Sequence, residues 1–185
     1  MENANNVKPA GKSTTRNIME WVGVVVITFA VSWLIRTFVM EPRYVPSGSM
    51  LPTIQLQDRL MVDKFFLKYF GELHSRDVIV FHPPSEAHSS DDFIKRLIAL
   101  PGDTVEIRDH KTYINGQVIN EPYVAEPQNK TMEPVVVPEG YVFVMGDNRN
   151  DSKDSREWGF LPIDNITGRT LFRYWPFERF GALAR

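Results

Sequence analysis

The 185-residue chain contains no cysteine, which excludes disulfide bonds, a thiolate nucleophile and any zinc site with thiolate ligands. Its charge is nearly balanced, 21 Lys and Arg against 23 Asp and Glu for a net −2, so it lacks the basic footprint of a nucleic-acid-binding protein. Histidine is scarce. His74, His82, His88 and His110 lie in polar or Pro-rich stretches, without metal-ligand spacing or the context of a His-based triad. No internal repeat recurs, and no helical period beyond residue 41 is long enough for a second bundle. Two apparent motifs also fail. GKST at 11–14 has Asn6 where a phosphate-binding loop needs its earlier glycine. The Asp-rich stretch from Asp147 has Ser152 and Trp158 where a calcium loop needs glycine and glutamate. The sequence therefore implies no metal and no organic cofactor.

What the chain does have is one long apolar run. WVGVVVITFAVSWLI, residues 21–35, carries only Thr28 and Ser32 as polar side chains, and the apolar character reaches from Ile18 to Met40 if Arg36 snorkels. At about 1.5 Å per residue, a helix of this length crosses a hydrocarbon core of about 30 Å. A buried helix would show a polar stripe, and a signal peptide would end at a small-residue cleavage site. Arg36, Thr37, Phe38 and Val39 follow instead. The reading is a disordered tail over 1–17, a retained transmembrane helix over 18–40, and the remainder, 41–185, on the far side. Lys8, Lys12 and Arg16 favour a cytoplasmic N-terminus, although Arg36, Arg43 and Arg59 weaken the asymmetry.

From residue 41 the pattern is β. RLMVDKF, RDVIVFHP, DFIKRLIAL, DTVEIRD, KTYINGQVI, GYVFVMG and GRTLFRYWPF are short, rich in Val, Ile, Phe and Tyr, and separated by Gly, Pro, Asn or Asp. Asn115-Gly116 marks a two-residue hairpin. Pro122, Pro127, Pro134 and Pro138 mark a loop, so 103–140 reads as a hairpin followed by a Pro-rich insertion. The expected fold is mainly β: a compact antiparallel domain preceded by one transmembrane helix.

Without cysteine or a metal set, hydrolytic chemistry requires a hydroxyl activated by a base. YVPSGSMLPT, residues 44–53, places two serines on a tight turn just after the apolar run. An ordinary solvated turn has the same composition. Lys95 falls on the same strand face as Phe93 and Leu97. It is read either as a lysine snorkelling from a strand edge or as an amine whose pKa is lowered by burial among apolar groups.

Four stretches in order, PSGSMLPT (46–53), RDVIVF (76–81), IKRLIALPGD (94–103) and GDNRNDSKDSREWGF (146–160), follow a single N-terminal span. Together they resemble the type I signal peptidases of bacteria and organelles, from the apolar run to about Trp175. The resemblance implies a membrane-bound serine endopeptidase that removes N-terminal signal peptides from exported preproteins, cutting after small residues in Ala-X-Ala contexts. It assigns Ser49 as nucleophile, Lys95 as general base, and Ser47 together with the Ser49 backbone N–H as the oxyanion hole. It also implies that Gly146 and Asp147 support the site wall, that Ser152 orients the lysine amine, and that Asp154 pairs with Arg156. Residues 103–140 are shorter than the β insertion that bacterial members often carry. Lys64, next to Asp63, matches a lysine of the family and is read as structural. The implied partners are preprotein signal peptides, the lipid bilayer and a nearby export translocon. The implied location is a bacterial plasma membrane or a thylakoid.

KFFLKYF (64–70) and FRYWPFERF (172–180) hold more aromatic residues than alternating strands need. Core packing is one explanation. The other is that some of Phe65, Phe66, Tyr69, Trp175 and Phe177 form a rim in the bilayer interface. Two further readings of the whole chain are a soluble Ser/Lys self-cleaving repressor-type protease, which the apolar run argues against, and a membrane-tethered β adaptor without catalysis. Asn129, Asn150 and Asn165 begin Asn-X-Ser/Thr triplets that matter only in a glycosylating compartment.

Overall fold

The computed structural model describes residues 14–35, 39–65, 69 and 71–183. The chain divides into two units, residues 1–37 and 38–185. In the first, Thr14–Leu34 forms helix α1. Its run Val24, Val25, Val26, Ile27, Thr28 is a poor helix former in water, because β-branched side chains lose rotamer freedom there. In hydrocarbon the helix wins because it satisfies its own backbone. Thr28 Oγ1 donates to the Val24 carbonyl at 2.8 Å, so this hydroxyl too is satisfied internally. Trp21, Phe29 and Trp33 are exposed, and the helix is long and apolar enough to cross a membrane by length and composition.

The expected 18–40 span overlaps the β domain at its last residue. Met40 belongs instead to the first strand, opposite Asp63. Pro42 accounts for this: it lacks an N–H and biases Glu41 away from helical backbone, whereas an edge strand tolerates it.

The second unit contains β1 (Met40–Tyr44), β2 (Arg59–Asp63), β3 (Val78–Phe81), β4 (Phe93–Ala99), β5 (Thr104–Arg108), β6 (Lys111–Ile114), β7 (Gln117–Val118), β8 (Met132–Val136), β9 (Tyr141–Met145), helix α2 (Ser155–Trp158), β10 (Leu161–Pro162), β11 (Ile166–Trp175) and β12 (Gly181–Ala182). All described pairings are antiparallel. The larger sheet runs β1-β2-β11-β3-β4-β9-β10, with β12 on β11. The smaller runs β7-β6-β5-β8. The chain is therefore β-rich and antiparallel, with one apolar helix before it.

Strand β4 lies inside the large sheet between β3 and β9, and Lys95 to Ala99 are all buried. A strand covered on both faces reads as a continuous apolar run, as LIAL does. Ile98 and Ala99 of β4 pack with Phe143 and Met145 of β9 and with Val105 and Ile107 of β5, so one apolar cluster joins the two sheets.

The insertion differs from its sequence reading. Asn115 and Gly116 both take positive φ, 52° and 77°, and turn β6 into β7 as a primed hairpin requires. The Pro-rich segment, however, contributes strand β8. Pro134 sits on this edge strand, where the register with β5 shifts between Val105 and Ile107. An edge position at a bulge is where a residue without an N–H can join a sheet. Residues 103–140 are thus a hairpin extended into a four-stranded sheet.

Two arginines brace the loop before β2. Arg173 at the end of β11 donates to the Thr53 carbonyl at 3.0 Å, and Arg179 donates to the same carbonyl at 3.3 Å. Both also reach the carboxylate of Asp58, at 3.4 and 3.0 Å. Asp58 is buried and accepts the Gln55 N–H as well, at 2.8 Å.

Candidate active site

The serine turn is held from its two ends. Val45, Met50 and Ile54 are buried with Leu60 and Val78, and Leu51 N–H donates to the Gly48 carbonyl at 3.1 Å. With the apolar residues inside, Ser47 is left exposed and Ser49 half-buried. The turn borders an open cleft of about 640 Å³, with Tyr44, Phe93, Lys95 and Asp151 among its other walls.

Lys95 projects from β4 to this turn. Its Nζ lies 2.5 Å from Ser49 Oγ, and the residue is only 4% exposed. The ring of Phe93, two residues before it, lies 5.3 Å from the amine. Burial lowers the Lys95 pKa from 10.5 to about 8, because removing an ammonium from water disfavours its charged form. Arg156 acts in the same direction, while Asp154, Asp147 and Asp151 oppose it. Ser47 Oγ lies 3.4 Å from Ser49 Oγ.

The loop after β9 forms the wall behind these groups. Asn148 N–H donates to the Ser49 carbonyl and Asn148 Nδ2 to the Gly48 carbonyl, both at 3.1 Å. Gly146 has no room for a side chain: a Cβ there would overlap the Ser49 carbonyl and Ser152 Oγ. Its N–H donates to Asp154 at 3.0 Å. Asp154 is buried and takes two bonds from the Arg156 guanidinium at 2.8 and 2.7 Å. Burial pushes the Asp154 carboxyl upward, but Arg156 and the Gly146 N–H outweigh it and hold the group below its ordinary value. Asp147 receives a bidentate pair from Arg96, at 2.8 and 2.7 Å, and both side chains are fully buried.

Ser152 is half-buried with its Oγ shielded from solvent, and its hydroxyl helps hold the Asp154 carboxyl below its ordinary value. It is wedged against Gly146 and makes no bond to the Lys95 amine. Lys64 pairs with Glu41 at 2.9 Å. Of the aromatic set, Tyr69, Trp175 and Phe177 are exposed and Phe65 is half-buried, while Phe66 lies outside the described residues. The ring of Phe65 is 4.9 Å from that of Tyr69, and Trp175 is 4.9 Å from Phe177. Among the described residues no three or more His, Asp or Glu side chains are arranged to hold a metal ion.

Sequence reasoning missed Arg96, Asn148, Arg149, Glu121 and Tyr123. Arg96 left a trace, since a second cation beside Lys95 in an apolar strand needs a buried anion. Glu121 left none, because its partner Arg149 is 28 residues away in an irregular loop.

A hydroxyl against a buried amine, on a turn locked to a glycine wall, brings together a potential nucleophile and a potential base. Comparison with known proteins gives the family. The model for the signal peptidases, peptidase S26, matches residues 18–175, and the chain belongs to that family. It is a serine endopeptidase, which excludes the adaptor reading. It is 47% identical over 171 residues to a probable signal peptidase I-1 of Synechocystis, covering 90% of this chain and 87% of that one. It is 36% identical over 189 residues to signal peptidase I T of Bacillus subtilis, covering 96% and 95%. Thylakoidal processing peptidase 1 of Arabidopsis thaliana is 47% identical over 154 residues, 79% of this chain but only 45% of the plant protein.

Proposed function

We propose that the protein is a membrane-anchored peptidase that removes N-terminal signal peptides from exported preproteins with a Ser49/Lys95 dyad. The observation that carries this reading is the 2.5 Å approach of a buried Lys95 amine, with pKa about 8, to Ser49 Oγ. In the neutral form the amine accepts the Ser49 proton as Oγ attacks the scissile carbonyl carbon. The negative charge that develops on the carbonyl oxygen is met by the Ser49 N–H and the Ser47 hydroxyl. As the C–N bond breaks, the Lys95 ammonium returns the proton to the departing amine and leaves an acyl-enzyme on Ser49. Lys95 then takes a proton from water, the hydroxide attacks the ester, and the proton passes back to Ser49 Oγ. Asp147, Asp154 and Arg156 hold the wall, and Ser152, packed against Gly146, is placed to orient the Lys95 amine.

Small side chains before the cut are favoured because the cleft beside the serine turn is lined by Val45, Met50 and Ile94, which are packed into the core behind it, and larger groups would overpack them. Helix α1 spans the bilayer with its N-terminus cytoplasmic, which leaves the β domain outside, near the translocon, in a plasma or thylakoid membrane. Exposed Tyr69, Trp175 and Phe177 rest in the lipid interface. The deciding experiment incubates the detergent-solubilised full chain with a preprotein and sequences the new N-terminus. A cut directly after an Ala-X-Ala context, absent with Ser49→Ala, is expected. An internal cut elsewhere would overturn the specificity, and cleavage by Ser49→Ala would overturn the dyad.

A further inference from the structure

The insertion reaches the active site through charged groups as well as through the core. Glu121, in the segment between β7 and β8, accepts two bonds from the Arg149 guanidinium, at 2.9 and 2.6 Å. Arg149 also donates to Thr112 Oγ1 of β6 at 3.1 Å, and its Nε donates to the Gly146 carbonyl at 3.0 Å. Gly146 is the residue closed against the Ser49 carbonyl. Two positions beyond Glu121, Tyr123 stacks its ring 3.8 Å from the Arg96 guanidinium and donates its hydroxyl to Glu121 at 3.2 Å. Arg96 directly follows Lys95 and grips Asp147. One segment of the insertion thus holds the two arginines that fix the lysine strand and the serine wall.

Adhesion does not explain this arrangement. Val105, Ile107 and Val137 already fasten the small sheet to β4 and β9 by apolar contact. A buried ion pair is a weak source of stability compared with an apolar contact of similar size, but its bidentate geometry fixes a direction. Arg149 is 3% exposed and Tyr123 3%, so neither can reorient into solvent without opening the interface.

We propose that Glu121 is a positioning residue of the peptidase: through Arg149 it sets the Gly146 carbonyl, and hence where Ser49 meets Lys95. The proposal rests on the Ser49/Lys95 reading above. In the full chain in detergent, Glu121→Gln keeps the shape but removes the charge that directs Arg149. Its kcat for a preprotein peptide should fall at least tenfold with KM changed less than twofold, and acylation of Ser49 by a β-lactam-type inhibitor should slow to match. Glu121→Asp keeps the charge one methylene too short and should lose threefold or more. If Glu121→Gln cannot be recovered folded, Glu121→Asp decides alone. Two controls isolate positioning from stability. Val105→Ala opens a cavity in the shared cluster and should lower the melting temperature without lowering kcat. Lys130→Ala removes an exposed ion pair with Glu157 on the same segment and should leave kcat within twofold. Wild-type kcat in both Glu121 variants overturns the proposal, as does a kcat loss in Val105→Ala that tracks its loss of stability as closely as theirs does. Activity in Ser49→Ala would instead indicate failure of the dyad reading.

Discussion

Replacing Lys95 by Met should inactivate the protein and stabilise it. Lys95 is almost wholly buried, and its pKa falls from 10.5 to about 8 on folding, chiefly through burial. The unfolded chain holds this proton more tightly, so at pH 7 folding carries a penalty of about 3 kcal/mol from this one group. The penalty is fully present below pH 8, fades as pH rises from 8 to 10.5, and is absent above that window. Methionine fills a similar volume and carries no charge, so Lys95→Met should be more stable than the native chain by up to about 3 kcal/mol at pH 7, or roughly 6–12 °C in melting temperature. At pH 11 the gain should vanish, leaving a deficit of about 1 kcal/mol for the lost bond to Ser49. The assay is denaturant or thermal unfolding of the full chain in detergent at both pH values. The same pKa leaves about a tenth of the amines neutral at pH 7, against about 3 in 10,000 for a free lysine. The ascending limb of kcat/KM should therefore centre near pH 8. A variant whose stability relative to the native chain is the same at pH 7 and pH 11, or a limb near pH 10.5, would refute the buried neutral base.

Ser49→Ala and Lys95→Ala should each abolish cleavage, and the double variant should be hardly slower than either alone, because nucleophile and base act as a unit. Multiplicative losses in single-turnover assays would contradict a dyad. Gly146→Ala forces a Cβ into the Ser49 carbonyl, a backbone atom that cannot swing aside. Cleavage should drop by more than tenfold, and wild-type turnover would mean that the wall is not fixed. Trp175→Ser with Phe177→Ser removes two exposed, mutually packed rings. Stimulation of cleavage by added lipid should fall in this pair while the melting temperature stays within about 3 °C, and unchanged lipid dependence would place the membrane contact elsewhere.

Much of the fold is visible locally. Alternating Val, Ile and Phe between turn residues locates β2 to β7, β9 and β11, and Asn115-Gly116 locates the hairpin, because strand and turn preferences act over a few residues. Lys95 betrays itself by sharing a strand face with Phe93 and Leu97. Strand β8 is hidden because Pro134 counts against any strand unless an edge bulge is already known to receive it. Met40 is misassigned because an apolar residue at the end of a span and one opening a strand look alike. The grip of Glu121 on Arg149, and of Arg173 and Arg179 on Thr53, depends on how distant segments meet in space. No periodicity encodes that.

The brace on the serine loop has a consequence for biosynthesis. Thr53 and Asp58 lie four and nine positions beyond Ser49, yet their arginine partners stand 115 to 126 residues further along the chain. A ribosome adding about 5 to 20 residues per second needs several seconds to cover that stretch. Throughout that interval the nascent chain already carries its serine turn. The loop behind Ser49 gains these fixings only when the end of β11 and the turn after it emerge. Until Arg173 and Arg179 emerge, the Thr53 carbonyl and the Asp58 carboxylate lack the donors that brace them in the folded protein, so the support behind the serine turn is assembled late.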